Sequence, residues 1–236
     1  MVDRDKLRVK IAFINLKLRQ VPFMPILWLI YLILLLPFLL FVLFFQVTAF
    51  SFTKLGLSPQ GAVLLFSLSL VGGLINIPVS RRRIMLEERP FPFPFPFFFY
   101  YPPRVREQVI AVNVGGAVIP ALFSFYLLGR APLLPALLAT AAVTVVARSL
   151  ARPVPGVGIS LPAFIPPLVA AAAALLLAGQ HAAPVAYIAG VWGTLIGADL
   201  LNLHRVRELG AHVLSIGGAG VFDGIFLVGV VAALLA

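Results

Sequence analysis

Residues 25–50 read PILWLIYLILLLPFLLFVLFFQVTAF and contain no charged side chain. A helix of about 20 apolar residues crosses the roughly 30 Å hydrocarbon core of a bilayer, so this run is long enough to span it. It is too long for the apolar core of a signal peptide, and no small-residue cleavage site follows it. The stretch therefore predicts a transmembrane helix that is retained as an anchor.

The composition of the whole chain also indicates a membrane protein. Hydrophobic residues make up 61% of the 236 residues and charged residues 11%, and the mean hydropathy is +1.08. These values lie outside the range of soluble domains. Seven apolar spans can be marked, at 25–50, 61–79, 109–128, 132–147, 159–178, 183–203 and 221–236. We therefore predict an all-α, polytopic bundle of about seven transmembrane spans, with helices broken by Pro and Gly on the cytoplasmic side.

Seven spans divide the basic residues unevenly between the two sides of the membrane. One side holds only Lys54 and Arg130 of the 18 basic residues. The N-terminal arm and the loops after spans two, four and six hold the other 16: Arg4, Lys6, Arg8, Lys10, Lys17, Arg19, Arg81, Arg82, Arg83, Arg89, Arg104, Arg106, Arg148, Arg152, Arg205 and Arg207. Because Lys and Arg mark cytoplasmic loops, this split predicts a cytoplasmic N-terminus and an external C-terminus. The same split explains the net charge of +10, because the basic residues lie in cytoplasmic loops. The expected partner is therefore the lipid bilayer and not a nucleic acid.

The predicted domain organisation has two parts. Residues 1–24 form a basic cytoplasmic arm, and residues 25–236 form a single transmembrane domain in which residues 80–108 are a cytoplasmic loop rich in Pro and Phe. Within that loop, residues 90–103 read PFPFPFPFFFYYPP. Alternating prolines prevent a helix, and aromatic rings prefer the membrane interface. We expect an aromatic belt along the cytoplasmic surface here rather than a Pro-rich ligand for a partner protein.

Only two carboxylates, Asp199 and Asp223, lie within the apolar stretches. The other six acidic residues belong to polar, arginine-bearing segments (Asp3, Asp5, Glu87, Glu88, Glu107 and Glu208). An ionised Asp at the centre of a transmembrane helix costs about 2.5–3.5 kcal/mol on insertion scales, so such residues usually face the interior of a bundle and mark a function. The two aspartates are therefore the leading candidates for a functional dyad.

Other polar and helix-breaking residues are expected to surround this dyad in the cytoplasmic half of the bundle. They are Asn76, Asn113, Pro162, Asn202, Gly218 and Gly220. Backbone broken at membrane depth persists only where protein or a water-filled cavity satisfies its polar groups, so these residues predict a substrate- or ion-binding site. For Asn76 and Asn113 taken singly, a hydrogen bond between helices is the simpler interpretation.

The depth of the two aspartates depends on the chain between them. Four glycines, at positions 210, 217, 218 and 220, make 204–220 a poor helix. If this stretch is an interfacial loop and the last span begins near Val221, Asp223 lies in the first helical turn, where the helix dipole favours its charge. We therefore expect residues 217–220 to be non-helical and both carboxylates to lie at one level.

Several of these segments resemble a bacterial and archaeal family of polytopic membrane proteins of unknown function. The resemblance is carried by Gly197-Ala198-Asp199-Leu200-Leu201-Asn202-Leu203 and by the stretch 215–227, which reads SIGGAGVFDGIFL. The elements Ile75-Asn76-Ile77-Pro78, Asn113-Val114-Gly115-Gly116 and Phe164-Ile165-Pro166-Pro167 are similar to it too. This resemblance implies an integral protein of the prokaryotic cytoplasmic membrane and brings no known activity.

More loosely, one Asp on each of two successive helices, the second after a glycine motif, resembles the GxGD intramembrane aspartyl proteases. That group includes presenilin, signal peptide peptidase and the prepilin peptidases. The glycine motif here is Gly218-Ala219-Gly220-Val221-Phe222-Asp223, with two residues inserted before the Asp. The resemblance implies that Asp199 and Asp223 are the catalytic dyad and that a transmembrane peptide or protein is the substrate.

Three functions remain open from the residues. An aspartyl hydrolase needs two carboxylates that share a proton, and no Cys or nucleophile-elbow Ser offers another hydrolytic centre. A proton- or Na⁺-coupled transporter would use the same two aspartates with the asparagines and free carbonyls. A non-enzymatic assembly protein would use them only to hold helices together. Asp199, His204, His212 and Asp223 match no recognised metal site, so no metal or cofactor is expected, and the oligomeric state is left open.

Overall fold

The structure is a computed structural model, and it describes residues 23–86, 104–154, 158–208, 213–218 and 224–236. The chain divides into two compact units, Met1–Val47 and Thr48–Ala236, and the boundary falls within helix α1 (Phe23–Lys54). In the first unit, the described part of α1 has exposed apolar side chains such as Trp28 and Leu34. A long helix that is apolar on all sides is typical of a membrane span. The predicted Pro/Phe-rich segment 90–103 lies outside the described residues.

The second unit contains the remaining described helices. They are α2 (Pro59–Gly72), α3 (Ile119–Leu128), α4 (Leu133–Leu150), α5 (Ile165–Ala178), α6 (Ala182–Thr194), α7 (Leu203–Glu208) and α8 (Gly224–Leu235). Local sequence explains several of their ends. Helix α2, for example, begins where the Ser58 hydroxyl accepts the Gly61 N–H at 3.2 Å, with Pro59 in the first position.

Three stretches of described helix are long and apolar enough to cross a membrane: Leu27–Lys54, Leu133–Leu150 and Ile165–Arg205. Three shorter apolar helices also occur, at Pro59–Gly72, Val114–Leu128 and Ile225–Leu235. The predicted class, a mostly helical membrane protein, is thereby confirmed. The finer prediction of seven spans in a fixed orientation is not established by these helices and stays a prediction.

The longest of these stretches turns at Gly179 and therefore consists of two helices. Gly179 has φ +53°, a conformation that glycine adopts readily, and it begins a 3₁₀ turn, Gly179–His181, between α5 and α6. The two helices pack against each other. Because the connection is so short, they form a helical hairpin.

The prediction of an all-α fold is wrong in one respect, because the second unit also contains β-strands. Strands β1 (Asn76–Leu86), β2 (Arg104–Asn113) and β5 (Val213–Ile216) form one sheet in the order β1-β2-β5. β1 and β2 are antiparallel, with Asn76 opposite Asn113, whereas β2 and β5 are parallel. β3 (Arg152–Val154) and β4 (Gly158–Ser160) form a second, antiparallel pair.

The sheet changes the predicted bounds of spans two and three. Helix α2 ends at Gly72, not at residue 79, and the helix predicted from residue 109 begins only after β2. Residues 80–86 and 104–108 of the predicted loop are strand instead. Pairing two arginine-bearing segments in a sheet satisfies their backbone hydrogen bonds without placing the charged side chains inside a hydrocarbon-crossing helix.

Helix α6 is the centre of the helical packing. It contacts α3, α4, α5 and α8, and nearly all of its residues are buried. Its glycines allow close approach: a Cβ at Gly193 would lie 2.5 Å from Val143 Cβ, and one at Gly190 would lie 3.1 Å from Val228 Cγ1. Small residues at such positions let helix backbones approach closely.

Candidate functional site

The helix that bears Asp199 is interrupted at that residue. After α6 ends at Thr194, a π-helical turn covers Leu195–Asp199, a 3₁₀ turn covers Leu200–Asn202, and α7 follows. Such turns leave carbonyl groups without their usual helical partners. The helix is therefore interrupted at the first aspartate, within the predicted span six.

Asn202 stabilises this interruption. Its side chain is fully buried, and its Nδ2 donates to the carbonyls of Gly197 at 3.1 Å and Ala198 at 2.9 Å. Its Oδ1 accepts a hydrogen bond from Arg148 Nη1 at 2.5 Å, which connects α4 to the break. All the polar atoms of the Asn202 side chain are thus occupied by the protein itself.

Asp199 is joined to the glycine segment that follows β5. Gly217 donates its backbone N–H to Asp199 Oδ2 at 2.7 Å. Gly217 and Gly218 have φ +87° and +91°, so both are non-helical, as predicted for this part of 217–220. A Cβ at Gly217 would also lie 2.6 Å from Ala117 Cβ, so the close approach as well as the backbone conformation requires glycine here.

The two predicted asparagines lie on neighbouring strands and are hydrogen-bonded to each other. Asn113 Nδ2 donates to Asn76 Oδ1 at 3.2 Å and to the Gly73 carbonyl at 2.8 Å, while Asn113 Oδ1 accepts the Gly116 N–H at 2.8 Å. Asn113 is buried and begins the helical segment after β2, whereas Asn76 is exposed. The simpler interpretation given to each residue alone, a hydrogen bond between helices, is wrong for their mutual bond, which joins two strands.

Ser215 on β5 connects the asparagines to the glycine segment. Its hydroxyl lies 2.6 Å from Asn76 Oδ1 and also contacts the Gly218 carbonyl. A chain of polar contacts therefore runs from Asn113 through Asn76 and Ser215 to Gly218, and the single Ser215 hydroxyl proton is directed to one of its two acceptors at a time. Sequence reasoning missed Ser215, although its place two residues before the glycines was a usable signal.

A cavity of about 200 Å³ adjoins Asp199. The residues that line it come from the β3–β4 region, the loop before α5, the end of α6, the π-helical turn, the glycine segment and α8 (Ile159, Leu161, Ala163, Thr194, Ala198, Asp199, Gly218, Ile225 and Val228). Thr194 is 3% exposed, and its hydroxyl has no hydrogen-bond partner in the part of the chain that the structure describes. Sequence reasoning also missed Thr194, which gave no signal beyond being a polar residue in an apolar span.

The predicted site residues thus fall into three groups. Asp199 and Gly218 line the cavity, and Asn76 and Asn113 reach Gly218 through Ser215. Asn202 lies one turn beyond Asp199 and bonds to backbone and Arg148, and Pro162 is an exposed residue between two lining residues. Asp223 and Gly220 lie outside the described residues. Among the described side chains, no group of three or more His, Asp or Glu residues is placed to hold a metal ion.

Membrane-length helices, a helix interrupted at a half-buried carboxylate and a small sheet beside it define a membrane protein with a polar site built from broken helices. The chain belongs to the family described as protein of unknown function (DUF1614), which matches residues 70–235. The predicted relation to a family of unknown function is thereby confirmed, and the matched region contains the whole cavity lining. No curated protein and no solved structure matches the chain.

Proposed function

We propose that this protein is an intramembrane hydrolase of the aspartyl-protease type, with Asp199 and Asp223 as its two catalytic carboxylates. The observation that carries the proposal is the joining of Asp199 to the glycine segment by the 2.7 Å hydrogen bond from Gly217. Gly218 and Ile225, the described lining residues on either side of 219–223, both belong to the cavity that holds Asp199. The described lining residues nearest to Asp223 in sequence therefore both lie at the cavity of Asp199.

The chemistry needs two carboxylates with different proton occupancy. One carboxylate accepts a proton from the attacking water, and the other donates a proton to the carbonyl oxygen of the scissile peptide bond. Gly217 holds one oxygen of Asp199, and no other described residue is hydrogen-bonded to that carboxylate. The apolar lining residues, among them Ile159 and Val228, suit an aliphatic side chain from a membrane-embedded peptide.

The membrane setting of the proposal follows from the charge distribution. We expect about seven spans in a prokaryotic cytoplasmic membrane, with the N-terminus and the Asp199 site on the cytoplasmic side. Arg148 is hydrogen-bonded to Asn202, one turn from Asp199. It is one of the 16 basic residues predicted for the cytoplasmic side. Lys54 and Arg130, the two basic residues predicted for the external side, bond to other helix ends and not to this site.

Cleavage of a transmembrane peptide by the purified, reconstituted protein tests the proposal. Asp199→Asn and Asp223→Asn should each lower the cleavage rate by about 100-fold or more, because a general acid or base is lost while the shape is kept. Glu107→Gln, which neutralises an exposed carboxylate on β2, is the matched control and should cleave normally.

Thermal unfolding of the same variants separates catalysis from a structural role. The hydrolase proposal requires both Asn variants to keep the melting temperature of the natural protein in detergent. Full cleavage by Asp199→Asn would contradict the proposal. Loss of stability in parallel with loss of activity would instead indicate that the two aspartates have a structural role and are not catalytic.

A proton- or Na⁺-coupled carrier is the second candidate, favoured by the buried Thr194 hydroxyl, which has no hydrogen-bond partner among the described residues. Carriers place substrate and ion sites where transmembrane helices are interrupted, and the π-helical and 3₁₀ turns interrupt this helix at a carboxylate. Ion-gradient-driven flux into proteoliposomes that depends on Asp199, without peptide cleavage, would favour the carrier over the hydrolase.

A further inference from the structure

The π-helical turn brings Thr194 and Asp199 to one side of their helix. In an α-helix, with 3.6 residues per turn, two residues five positions apart point in different directions. A π-helical turn forms hydrogen bonds between residues five apart, so it holds more residues per turn than an α-helix and brings residues five apart closer to one side. Thr194, which precedes the turn Leu195–Asp199, and Asp199, which ends it, accordingly line the same cavity.

The Thr194 hydroxyl differs from other threonine hydroxyls in the bundle. On α4, the hydroxyls of Thr140 and Thr144 donate to the carbonyls of Ala136 and Thr140, one turn earlier, at 2.7 and 2.8 Å. The Thr194 hydroxyl is buried without any such bond among the described residues. Because a buried hydroxyl without a partner is unfavourable, a polar group bound in the cavity would stabilise this arrangement.

The charge of the cavity restricts what that polar group can be. Within the described lining, Asp199 is the one charged side chain, and no described basic residue forms an ion pair with it. An unpaired carboxylate away from water is stabilised by a cation that also donates hydrogen bonds. The cavity chemistry thus favours a positively charged group with N–H donors.

The size and the walls of the cavity restrict the rest of the ligand. About 200 Å³ is several times the roughly 30 Å³ that one water molecule occupies in the liquid. It is smaller than the roughly 300–1,000 Å³ of pockets for drug-sized molecules. Ile159, Leu161, Ile225 and Val228 give it an aliphatic wall. A short aliphatic chain fits this space better than a bare inorganic ion.

We propose that the Asp199–Thr194 cavity binds a primary alkylammonium group. Its N–H groups donate to the Asp199 carboxylate and the Thr194 hydroxyl oxygen, and its aliphatic chain packs against the apolar wall. The identity of the natural ligand rests on the function proposed above. Cleavage of a peptide bond releases a new primary amine, and this cavity would bind that product. Binding of an amine requires no hydrolysis.

Calorimetry and thermal unfolding of the detergent-purified protein with n-butylammonium chloride test this proposal. At saturation, n-butylammonium should raise the melting temperature by about 2 °C or more, since a ligand that binds only the folded state stabilises it. Two probes are matched controls at equal ionic strength: 1-butanol has the chain without the charge, and tetramethylammonium has the charge without N–H donors. Neither should reproduce the effect.

Variants assign the binding to the two side chains. Asp199→Asn should weaken n-butylammonium binding by about tenfold or more, because the charge-assisted hydrogen bond is lost. Thr194→Val should weaken it by about threefold to tenfold, and Thr194→Ser should restore it. Thr140→Val, which removes a half-buried hydroxyl from α4, should bind like the natural protein.

The outcomes separate this proposal from the hydrolase. Equal stabilisation by 1-butanol or tetramethylammonium, or undiminished binding in Asp199→Asn, would overturn the ammonium site. Peptide cleavage without n-butylammonium binding would leave the hydrolase intact and refute only the site. Binding without cleavage would support the site and refute only the hydrolase.

Discussion

At the scale of single residues, the buried amide of Asn202 replaces hydrogen bonds that the broken helix lacks. Its Nδ2 bonds to two backbone carbonyls and its Oδ1 accepts from Arg148. Inside a membrane protein, backbone groups freed by a helix break need a protein or water partner. Asn202 is that partner, and it thereby fixes the geometry in which Asp199 meets Gly217.

The first residue-scale prediction concerns this amide. Asn202→Leu has a similar volume but leaves two carbonyls and the Arg148 guanidinium without their partner, so the free energy of unfolding should fall by about 2–5 kcal/mol. Unfolding in mixed micelles measures it. Asn76→Leu, at an exposed position, is the control and should have a smaller effect. Equal stability of the two variants would show that Asn202 does not support the break.

At the scale of elements, the sheet and the helices meet where α2 crosses the segment after β2. A Cβ at Gly72 would lie 2.9 Å from the Gly115 backbone nitrogen, so the backbones of these two segments are in direct contact. Next to this crossing, Val114 donates its N–H to the Ile75 carbonyl at 3.0 Å, and Asn113 donates to the Gly73 carbonyl. The crossing therefore aligns β1 with β2 and positions the asparagines.

Gly115→Ala tests this crossing. Its new Cβ would overlap the Ser69 carbonyl oxygen and the Gly73 nitrogen, which are backbone atoms and cannot move independently. The free energy of unfolding should therefore fall by about 1–3 kcal/mol or more. Gly129→Ala is the matched control, because the nearest atom to its Cβ is 3.7 Å away and its φ is −69°. That variant should be neutral or slightly stabilised.

If Gly115→Ala melts at the same temperature as Gly129→Ala, the two backbones are not in direct contact in solution. A loss of stability confined to Gly115→Ala would establish the crossing without reference to any activity.

At the scale of the whole molecule, helix ends that are far apart in sequence are tied together within the second unit. Lys54 Nζ donates to the Leu234 carbonyl at 2.9 Å, and Arg130 Nη1 donates to the carbonyls of Leu55 and Gly56 at 3.1 and 2.9 Å. The ends of α1 and α8 and the short segment after α3 therefore meet at one end of this unit. These are the positions that the charge distribution predicts to share the external side.

Cysteine accessibility tests that topology, and the chain contains no natural cysteine to remove first. Single cysteines beside Lys54, Arg130 and Ala236 should react with a membrane-impermeant maleimide added outside intact cells. Cysteines near Arg152 and Arg207 should react only after permeabilisation, because the positive-inside rule places them in the cytoplasm. Labelling of the C-terminus only after permeabilisation would refute an odd number of spans.

Part of the site could be predicted from the sequence because it depends on local composition. Asp199 stands out because a carboxylate in an apolar helix is rare, and the non-helical state of Gly217 and Gly218 follows from adjacent glycines. Thr194 and Ser215 could not be predicted in the same way. Their importance comes from a π-helical turn and from a strand pairing, neither of which is visible in residue type.

The sequence by itself determined that this is a mostly helical membrane protein. Whether a helix can cross a bilayer depends on the hydropathy of about 20 consecutive residues, which is a local property of the sequence. The tertiary structure alone decided that 76–86 and 104–113 pair as strands and that β5 joins them, since pairing depends on partners distant in the chain. It likewise decided that Asp199 meets the glycine segment beside a cavity, because that contact joins residues 18 positions apart across a break in the helix.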